Sequence, residues 1–287
     1  MTAAEDAMRL AVVGHVEWVD FSVVDRVPAP GEIAHAKEAW EEPAGGGAVA
    51  AVQLARLAGG CLFITALGDD DRGHCAKRGL EAMGVDVRAA WRSEPQRRAF
   101  VYLDATGERT ITVIGERLTP RASEPLPWEE LGDCDGIYLT AGDAGAVRAA
   151  RAARCLVATV RALPELNEAG VEIDALVSSA NDEGERYAPG DLEPTPRLIA
   201  RTDGTRGGEL VAADGASIRW PAAPLPGPAV DAYGAGDSLA AGFTYGLAEG
   251  LAPEAAVALG ARCGAACVTG RGPYGAQIGA GADPPRV

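Results

Sequence analysis

Residues 228–243 read Pro228-Ala229-Val230-Asp231-Ala232-Tyr233-Gly234-Ala235-Gly236-Asp237-Ser238-Leu239-Ala240-Ala241-Gly242-Phe243. The small residues Gly234, Ala235 and Gly236 let the backbone turn tightly, and a helical stretch over 237–249 follows at once. Backbone N–H groups at such a turn point the same way, and the helix N-terminus adds partial positive charge, so the unit is a ready anion cradle. Asp237 falls in the first helical turn, where a lone Asp usually does no more than cap the helix.

Outward from this stretch, short apolar runs alternate with helical segments. Leu10–Val13 and residues 61–66, 136–140, 155–160, 175–178 and 198–201 read as buried strands. Residues 48–58, 73–83, 144–153, 237–249 and 253–269 read as helices, the second stopped by Gly84. The alternation predicts an α/β fold: a doubly wound, mostly parallel sheet flanked by helices. Two stretches break the rhythm. Residues 17–44 carry Pro28, Pro30, Gly31 and Pro43 among short alternating pieces, with no room for a useful helix. Residues 99–113 are two β-branched and aromatic runs around Ala105-Thr106-Gly107-Glu108, a hairpin. These predict a small β lid from about 16–44 and 96–118 on a single domain spanning 1–287, a length that suits one large α/β unit or two domains. Pro-rich connectors at 120–127 and 220–228 read as surface loops.

Charge narrows the function. Asp and Glu outnumber Lys and Arg by 41 to 26, a formal charge of −15 that disfavours nucleic-acid binding over a broad surface. One small phosphate ligand is not excluded, since it needs only a local nest of N–H groups. The six cysteines lack any C-x-x-C, and none of His15, His35 and His74 stands at metal-ligand spacing from a cysteine. They read as buried, reduced thiols. The stretch MTAAEDAMRLAVVGHV carries acids before a short apolar run, unlike a secretion signal, and no apolar run reaches the ~18 residues of a membrane span, so the expectation is a soluble cytoplasmic protein.

Competing glycine motifs can be counted. A Walker A loop needs Gly-Lys before Ser or Thr, and neither Lys37 nor Lys77 follows Gly. The dinucleotide fingerprint fails at Gly234, because its sixth position is Leu239. It matches literally at Gly270-Arg271-Gly272-Pro273-Tyr274-Gly275, but Pro273 interrupts the turn and no βαβ unit can follow in the twelve remaining residues.

Asp231-Ala232-Tyr233-Gly234-Ala235-Gly236-Asp237 resembles the D-T-x-G-A-G-D signature of the ribokinase-like (PfkB) carbohydrate kinases. Other pieces agree in order. Gly45-Gly46-Gly47 and the Ala-rich run to Leu57 are similar to that family's N-terminal Gly-Gly motif and helix. Leu67-Gly68-Asp69-Asp70-Asp71-Arg72-Gly73 is similar to its v-G-x-D-x-x-G element, and Gly107-Glu108-Arg109-Thr110 to its lid turn. Thr202-Asp203-Gly204-Thr205-Arg206-Gly207 resembles its T-x-G-x-x-G segment near the nucleotide.

The resemblance implies a ribokinase-like fold and an ATP- and Mg²⁺-dependent kinase acting on a hydroxyl of a sugar or sugar-like metabolite. It leaves open a monovalent cation such as K⁺. Asp237 would be the general base and the backbone of Gly234, Ala235, Gly236 and Asp237 the anion hole, with Asp237 kept ionised by the helix N-terminus. Thr202, Gly204 and Gly207 would lie by the nucleotide. Asp182 and Glu185 resemble an N-x-x-E element that organises Mg²⁺ and phosphate, directly or through water; read alone they are a solvated acidic loop. Arg161 reads as a surface residue or as a phosphate neighbour. Glu17, Asp20, Gly46 and Gly47 would meet the acceptor. The sugar-binding Asp of many members falls on Val19 and an Asn on Val49, which argues against ordinary ribokinase or fructokinase specificity. Glu17 and Asp20 read equally as exposed strand-end charges. Two alternatives stand beside the sugar kinase: a nucleoside kinase using Trp18, Phe21, Trp40, Phe100 and Tyr102 as a base-stacking wall, and a binding protein with little turnover. Apolar lid edges at 100–103 and 111–113 suggest a homodimer through lid strands.

Overall fold

The structure, a computed structural model, describes residues 8–105 and 107–279. Thr106 of the expected hairpin turn and both chain ends lie outside these residues. In chain order the elements are β1 (Leu10–Val13), β2 (Glu17–Val23), β3 (Glu38–Ala44), α1 (Gly46–Ala58), β4 (Cys61–Gly68), α2 (Asp71–Ala82), β5 (Val85–Arg92), β6 (Arg98–Leu103) and β7 (Arg109–Ile114). Then follow β8 (Gly136–Leu139), α3 (Ala144–Ala150), β9 (Leu156–Thr159), α4 (Leu163–Ala169), β10 (Ala175–Ser179), β11 (Leu198–Thr202), β12 (Gly208–Ala212), β13 (Ser217–Trp220), α5 (Ala235–Ala248) and α6 (Pro253–Cys267).

Among the described residues nine strands form the main sheet in the order β13-β12-β11-β10-β9-β8-β1-β4-β5. The seven from β5 to β11 run parallel, and β12 and β13 continue antiparallel at the edge. Both faces of β1 are buried. Leu10 and Val12 join the layer of α1, α2, α5 and α6, while Ala11 and Val13 face α3 and α4. Two-sided burial explains why the parallel strands read as unbroken apolar runs. From β1 the chain first builds outward through β4 and β5, then returns past β1 to β8. The order therefore reverses between β1 and β8, and the carboxyl ends of strands at such a reversal diverge into a crevice.

Strands β2, β3, β6 and β7 form a separate four-stranded sheet, order β3-β2-β6-β7, in which β2 and β6 are parallel and the other pairs antiparallel. Along β2 the odd residues Glu17, Val19 and Phe21 are buried against the body, and the even residues Trp18, Asp20 and Ser22 face away. Sequence patterning did not single out β5, α4 or the β12–β13 hairpin. Residue 220 also departs from the expected connector: Trp220 is buried at the end of β13. Among the described residues the cysteines are unpaired, and all but Cys75 are buried. Burial pushes the Cys263 and Cys267 thiols up to about 12, which keeps them protonated and inert. No described helix is long and apolar enough to cross a membrane.

Candidate active site

Two helices start at the crevice. α1 begins after Gly45 (φ 85°) and α5 after Gly234 (φ 79°), and among the described residues neither has a side-chain cap. Their first-turn N–H groups are therefore left for something outside the helix. In α5 the Ala235 N–H turns back onto the Ala232 carbonyl at 3.4 Å, and the Ser238 N–H bonds Gly234 at 2.9 Å. Among the described residues nothing accepts from the N–H groups of Gly236 and Asp237. The expected three-donor hole is thus two free donors plus one partly committed to the turn. A side chain at Gly236 would point into open space, whereas one at Gly234 would strike Pro273 at 2.8 Å and Val49 at 3.0 Å.

Asp237 lies where the two helix starts meet. Its Oδ1 is 2.8 Å from the point where a Cβ on Gly46 would sit, and the His15 ring is 3.8 Å from the same point. A Cβ at position 46 would push the carboxylate out of this position against α1. Burial, reinforced by the charge of Glu185, raises Asp237 to about 7. Arg109 and Arg161 oppose that rise and Glu17 adds to it. The helix N-terminus alone does not keep this carboxyl ionised, as the sequence suggested. Loss of water contact is the largest cause of the rise.

The acidic motif is exposed at Asp182 and half-buried at Glu185, and both carboxylates are paired. Arg161, at the end of β9, donates from Nε to Glu185 at 2.5 Å and from a terminal nitrogen to Asp182 at 2.6 Å. Asp182 also accepts from the Gly184 N–H at 2.9 Å. The fields of Glu185 and Asp182 on Arg161, and of Arg161 on Asp237, bring this trio to the same crevice. Arg161 is an exposed cation, as one sequence reading had it, and it clamps both carboxylates of the acidic motif.

Glu17 is buried as well. Arg97 donates to its Oε1 at 2.7 Å, and His15 Nε2 is 4.0 Å from the same oxygen. Burial, followed by the nearby charges of Arg117, Arg97 and Arg161, holds His15 neutral, and its Nδ1 has no hydrogen-bond partner among the described residues. Asp20, expected beside Glu17, is on the opposite face of β2 and pairs with Arg98 at 2.8 Å. Val19 and Val49 are fully buried, so no slip of register brings Asp20 inward. The structure brings Glu17, Gly46 and Gly47 to Asp237 and separates Asp20 from them.

Thr202, Gly204 and Gly207 lie at the carboxyl end of β11, on the same edge of the parallel strands. The Thr202 hydroxyl donates to the Ser178 carbonyl at 3.2 Å, and the Ala180 N–H donates back to Thr202 at 2.9 Å. Gly204 (φ 57°) faces the Asn181 amide. Gly207 (φ 86°) is required by packing, since a Cβ there would lie 2.0 Å from the Trp220 carbonyl oxygen.

The small sheet closes onto this turn. Phe21 stacks on Trp40 (4.8 Å between ring centres) and meets Tyr233 edge-on at 5.0 Å. Arg109, at the start of β7, donates to the Ala232 carbonyl at 3.3 Å. Of the five aromatic residues weighed as a base-stacking wall, Trp18, Phe100 and Tyr102 fall on the outer, even-numbered face, where Phe100 and Tyr102 pack on each other. Phe21 and Trp40 are committed to the docking of the lid. The residues that sequence reading missed here are His15, Arg97, Arg109 and Arg117, which come from separate strands and connections and share no spacing.

A family model described as pfkB family carbohydrate kinase matches residues 7–162 and 167–278. An ATP-dependent ribose-1-phosphate kinase of Halopiger xanaduensis is 30% identical over 256 residues, covering 82% of this chain and 83% of the relative. Among solved structures, ribokinase of Thermotoga maritima superposes with a TM-score of 0.75 at 24% identity, covering 95% of this chain and 96% of that one. Arabidopsis thaliana ribokinase, complexed with ribose and ATP, gives 0.73 at 20% identity, covering 95% and 96%. The ribokinase fold, the paired helix starts around Asp237 and a family match over most of the length lead to one conclusion: this chain belongs to the pfkB family of carbohydrate kinases.

Proposed function

We propose that this kinase transfers the γ-phosphoryl group of ATP to a hydroxyl of a sugar or sugar-like acceptor, with Asp237 as the base. The observation that carries this reading is the Asp237 carboxylate wedged against Gly46 between two uncapped helix starts, with its pKa raised to about 7. A base that titrates near the working pH is well matched to removing a hydroxyl proton. The acceptor oxygen attacks the γ-phosphorus, the bond from phosphorus to the β–γ bridging oxygen breaks, ADP leaves, and the hydroxyl proton passes to Asp237. The free N–H groups of Gly236 and Asp237 stabilise charge on the transferring phosphoryl oxygens. Thr202 and Gly204 border the nucleotide, and Arg161 balances negative charge between Asp237 and the acidic pair.

Mg²⁺ fits this donor set only as an ion shared with the nucleotide. No group of three or more His, Cys, Asp or Glu side chains converges among the described residues. Asp182 and Glu185 would hold it directly or through water, the one or two carboxylates such an ion needs beside phosphates. When bound, it would neutralise phosphate charge. The names of the relatives include both a free-sugar kinase and a sugar-phosphate kinase. The paired outer aromatics weigh against a nucleoside acceptor. We further read the exposed strand β7 as the contact of a homodimer.

The test is an ADP-release screen with ATP and Mg²⁺ against sugars, sugar acids, sugar phosphates and nucleosides, with Asp237→Asn as the blank. Turnover on a sugar-type acceptor that vanishes in the blank is the expected result. Turnover that persists in Asp237→Asn, or a preference for nucleosides, would overturn the reading.

A further inference from the structure

The stretch Gly270-Arg271-Gly272-Pro273-Tyr274-Gly275 matches a dinucleotide fingerprint in letters, yet its contacts give it another task. It follows α6 and lies between the lid strand β3 and the turn ahead of α5. On the body side, the Gly272 N–H donates to one oxygen of Asp231 at 2.8 Å, and the other oxygen accepts from the Tyr233 N–H at 2.9 Å. Pro273 abuts Gly234, where a Cβ would lie 2.8 Å from the proline Cβ. Cys267 Sγ is 3.4 Å from the Pro273 carbonyl oxygen. Further on, the buried Gln277 amide donates to the Val49 carbonyl of α1 and to the Ser238 hydroxyl of α5, each at 3.0 Å. Gln53 and Arg56 of α1 donate to the Ile278 and Gln277 carbonyls at 2.7 and 2.9 Å. Residues 270–278 are therefore tied to both helices that start at Asp237 and to the turn that carries its N–H groups.

On the lid side the contacts follow the pleat of β3, whose even residues share one face. Residues 38, 40 and 42 all meet the stretch. The Arg271 guanidinium lies 4.0 Å from the centre of the Trp40 ring, and a terminal nitrogen donates to Glu38 at 2.7 Å. Trp40 Nε1 donates to Glu42 at 2.9 Å, and a Cβ at Gly272 (φ 60°) would lie 2.2 Å from the same Glu42 oxygen. Closer to α1, the Tyr274 hydroxyl donates to the Pro43 carbonyl at 2.7 Å. The two ends of this contact differ in kind. Tyr274 and Pro43 are buried, so their bond is a fixed pivot where β3 runs into α1. Arg271 and Glu38 are exposed, about 15 Å farther along the strand, so theirs is an outer clasp. Exposed contacts of this sort open at lower cost than buried ones.

We infer that residues 270–275 are a strap that transmits the seating of the lid to the anion-binding turn, with Arg271 as its positioning residue. This rests on the reading of Asp237 and the 234–237 backbone as the phosphoryl-transfer machinery. With the clasp shut, Trp40 lies against Arg271, and the strap is held between β3 and the turn. The Gly272 N–H then fixes Asp231, and Pro273 backs Gly234, so the Gly236 and Asp237 N–H groups keep one direction. With the clasp open, β3 swings about the Tyr274–Pro43 pivot and the strap loses its support on that side. The Asp231–Gly272 bond and the Pro273–Gly234 contact then loosen together. Arginine suits this post because its planar cation lies flat on the indole while its edge reaches Glu38. An exposed ion pair alone contributes little, so the stack carries the coupling.

The deciding experiment is hydrogen–deuterium exchange of the full chain without ligand, read at the bonded amides of Tyr233, Ser238 and Gly272. Arg271→Gln is expected to speed their exchange about two- to fivefold, the effect of losing an exposed cation–π contact, while β1, β4 and β8 exchange as in wild type. Arg271→Lys should fall in between, and Glu38→Gln should stay near wild type. Trp40→Leu should speed the same amides, and adding Arg271→Gln to it should add less than it does alone, since both break one contact. Unchanged exchange in Arg271→Gln would overturn the strap, and so would independent effects of the two substitutions. Kinetics on the sugar acceptor of the ADP-release screen gives a second readout. In Arg271→Gln, kcat should fall about two- to fivefold with KM for ATP unchanged. A raised acceptor KM with unchanged kcat would mean that Arg271 holds the lid and does not reach the turn, which also overturns the inference. If wild type turns over no acceptor, the kinase reading fails, and the exchange pattern decides the strap by itself.

Discussion

The charge state of one carboxyl links activity to stability. In the fold Asp237 holds its proton up to about pH 7, against an ordinary value near 3.8. The base form therefore grows as pH rises, and kcat should climb about tenfold per unit below pH 7 and level above it. Asp237→Asn should lower kcat by roughly 10²–10⁴ while ATP still stabilises the protein against heat. Stability runs the other way. Between the two values the folded chain binds a proton the unfolded chain has released, so stability falls as pH rises through 7. Asn cannot ionise, so Asp237→Asn should melt higher than wild type at pH 8 and together with it at pH 4, in scans across that range. A similar argument applies to Gly46, where a Cβ would lie 2.8 Å from Asp237 Oδ1. Gly46→Ala should cut kcat at least about tenfold by displacing the base, with helical circular dichroism retained, because alanine suits a helix better than glycine. Wild-type kcat in that variant would show that the carboxylate does not need this nest.

At the scale of elements, the lid strand β7 tunes the base through Arg109, which bonds the Ala232 carbonyl and favours the charged form of Asp237. Removing that cation in Arg109→Gln should move the acid limb of the kcat profile to higher pH, because the carboxylate loses a stabilising charge. An unmoved limb would mean that the lid does not reach the base in the working enzyme. This coupling also marks where sequence reading stops. Parallel strands buried on both faces announce themselves as apolar runs, and the Gly-Ala-Gly-Asp turn carries its chemistry in consecutive residues. Strand β5 alternates between buried and half-exposed positions at the sheet edge, and β12–β13 is an edge hairpin with polar residues, so neither gives the same run. In the site, Asp20 sits one residue from Val19, and only the pleat of β2 reveals that it faces away and binds Arg98. Arg97, Arg109, Arg117 and Arg161 converge from four separate places in the chain, and their meeting is a property of topology rather than of spacing.

For the whole molecule, the lid leaves an unsolved edge. Among the described residues strand β7 pairs only with β6, every one of its residues is exposed, and Ile111, Val113 and Ile114 show 42%, 44% and 47% of their surface. An exposed apolar edge strand is a template for another chain, and natural proteins usually blunt it with charge or cover it. Arg109 is the only charged residue in β7, and it is turned toward the Ala232 carbonyl. A second copy of the same lid would satisfy both the free backbone groups and the apolar side chains, and its symmetry would close the contact at two subunits. Sedimentation at micromolar concentration should therefore give a dimer, and the double variant Ile111→Lys, Val113→Lys should give a monomer with unchanged circular dichroism, since both side chains are already solvent-facing. A monomeric wild type would refute the dimer. Because the same strand carries Arg109 into the site, separating the subunits should also raise KM for the acceptor more than KM for ATP. A monomeric variant with both constants unchanged would mean that each lid holds its arginines in position without its neighbour.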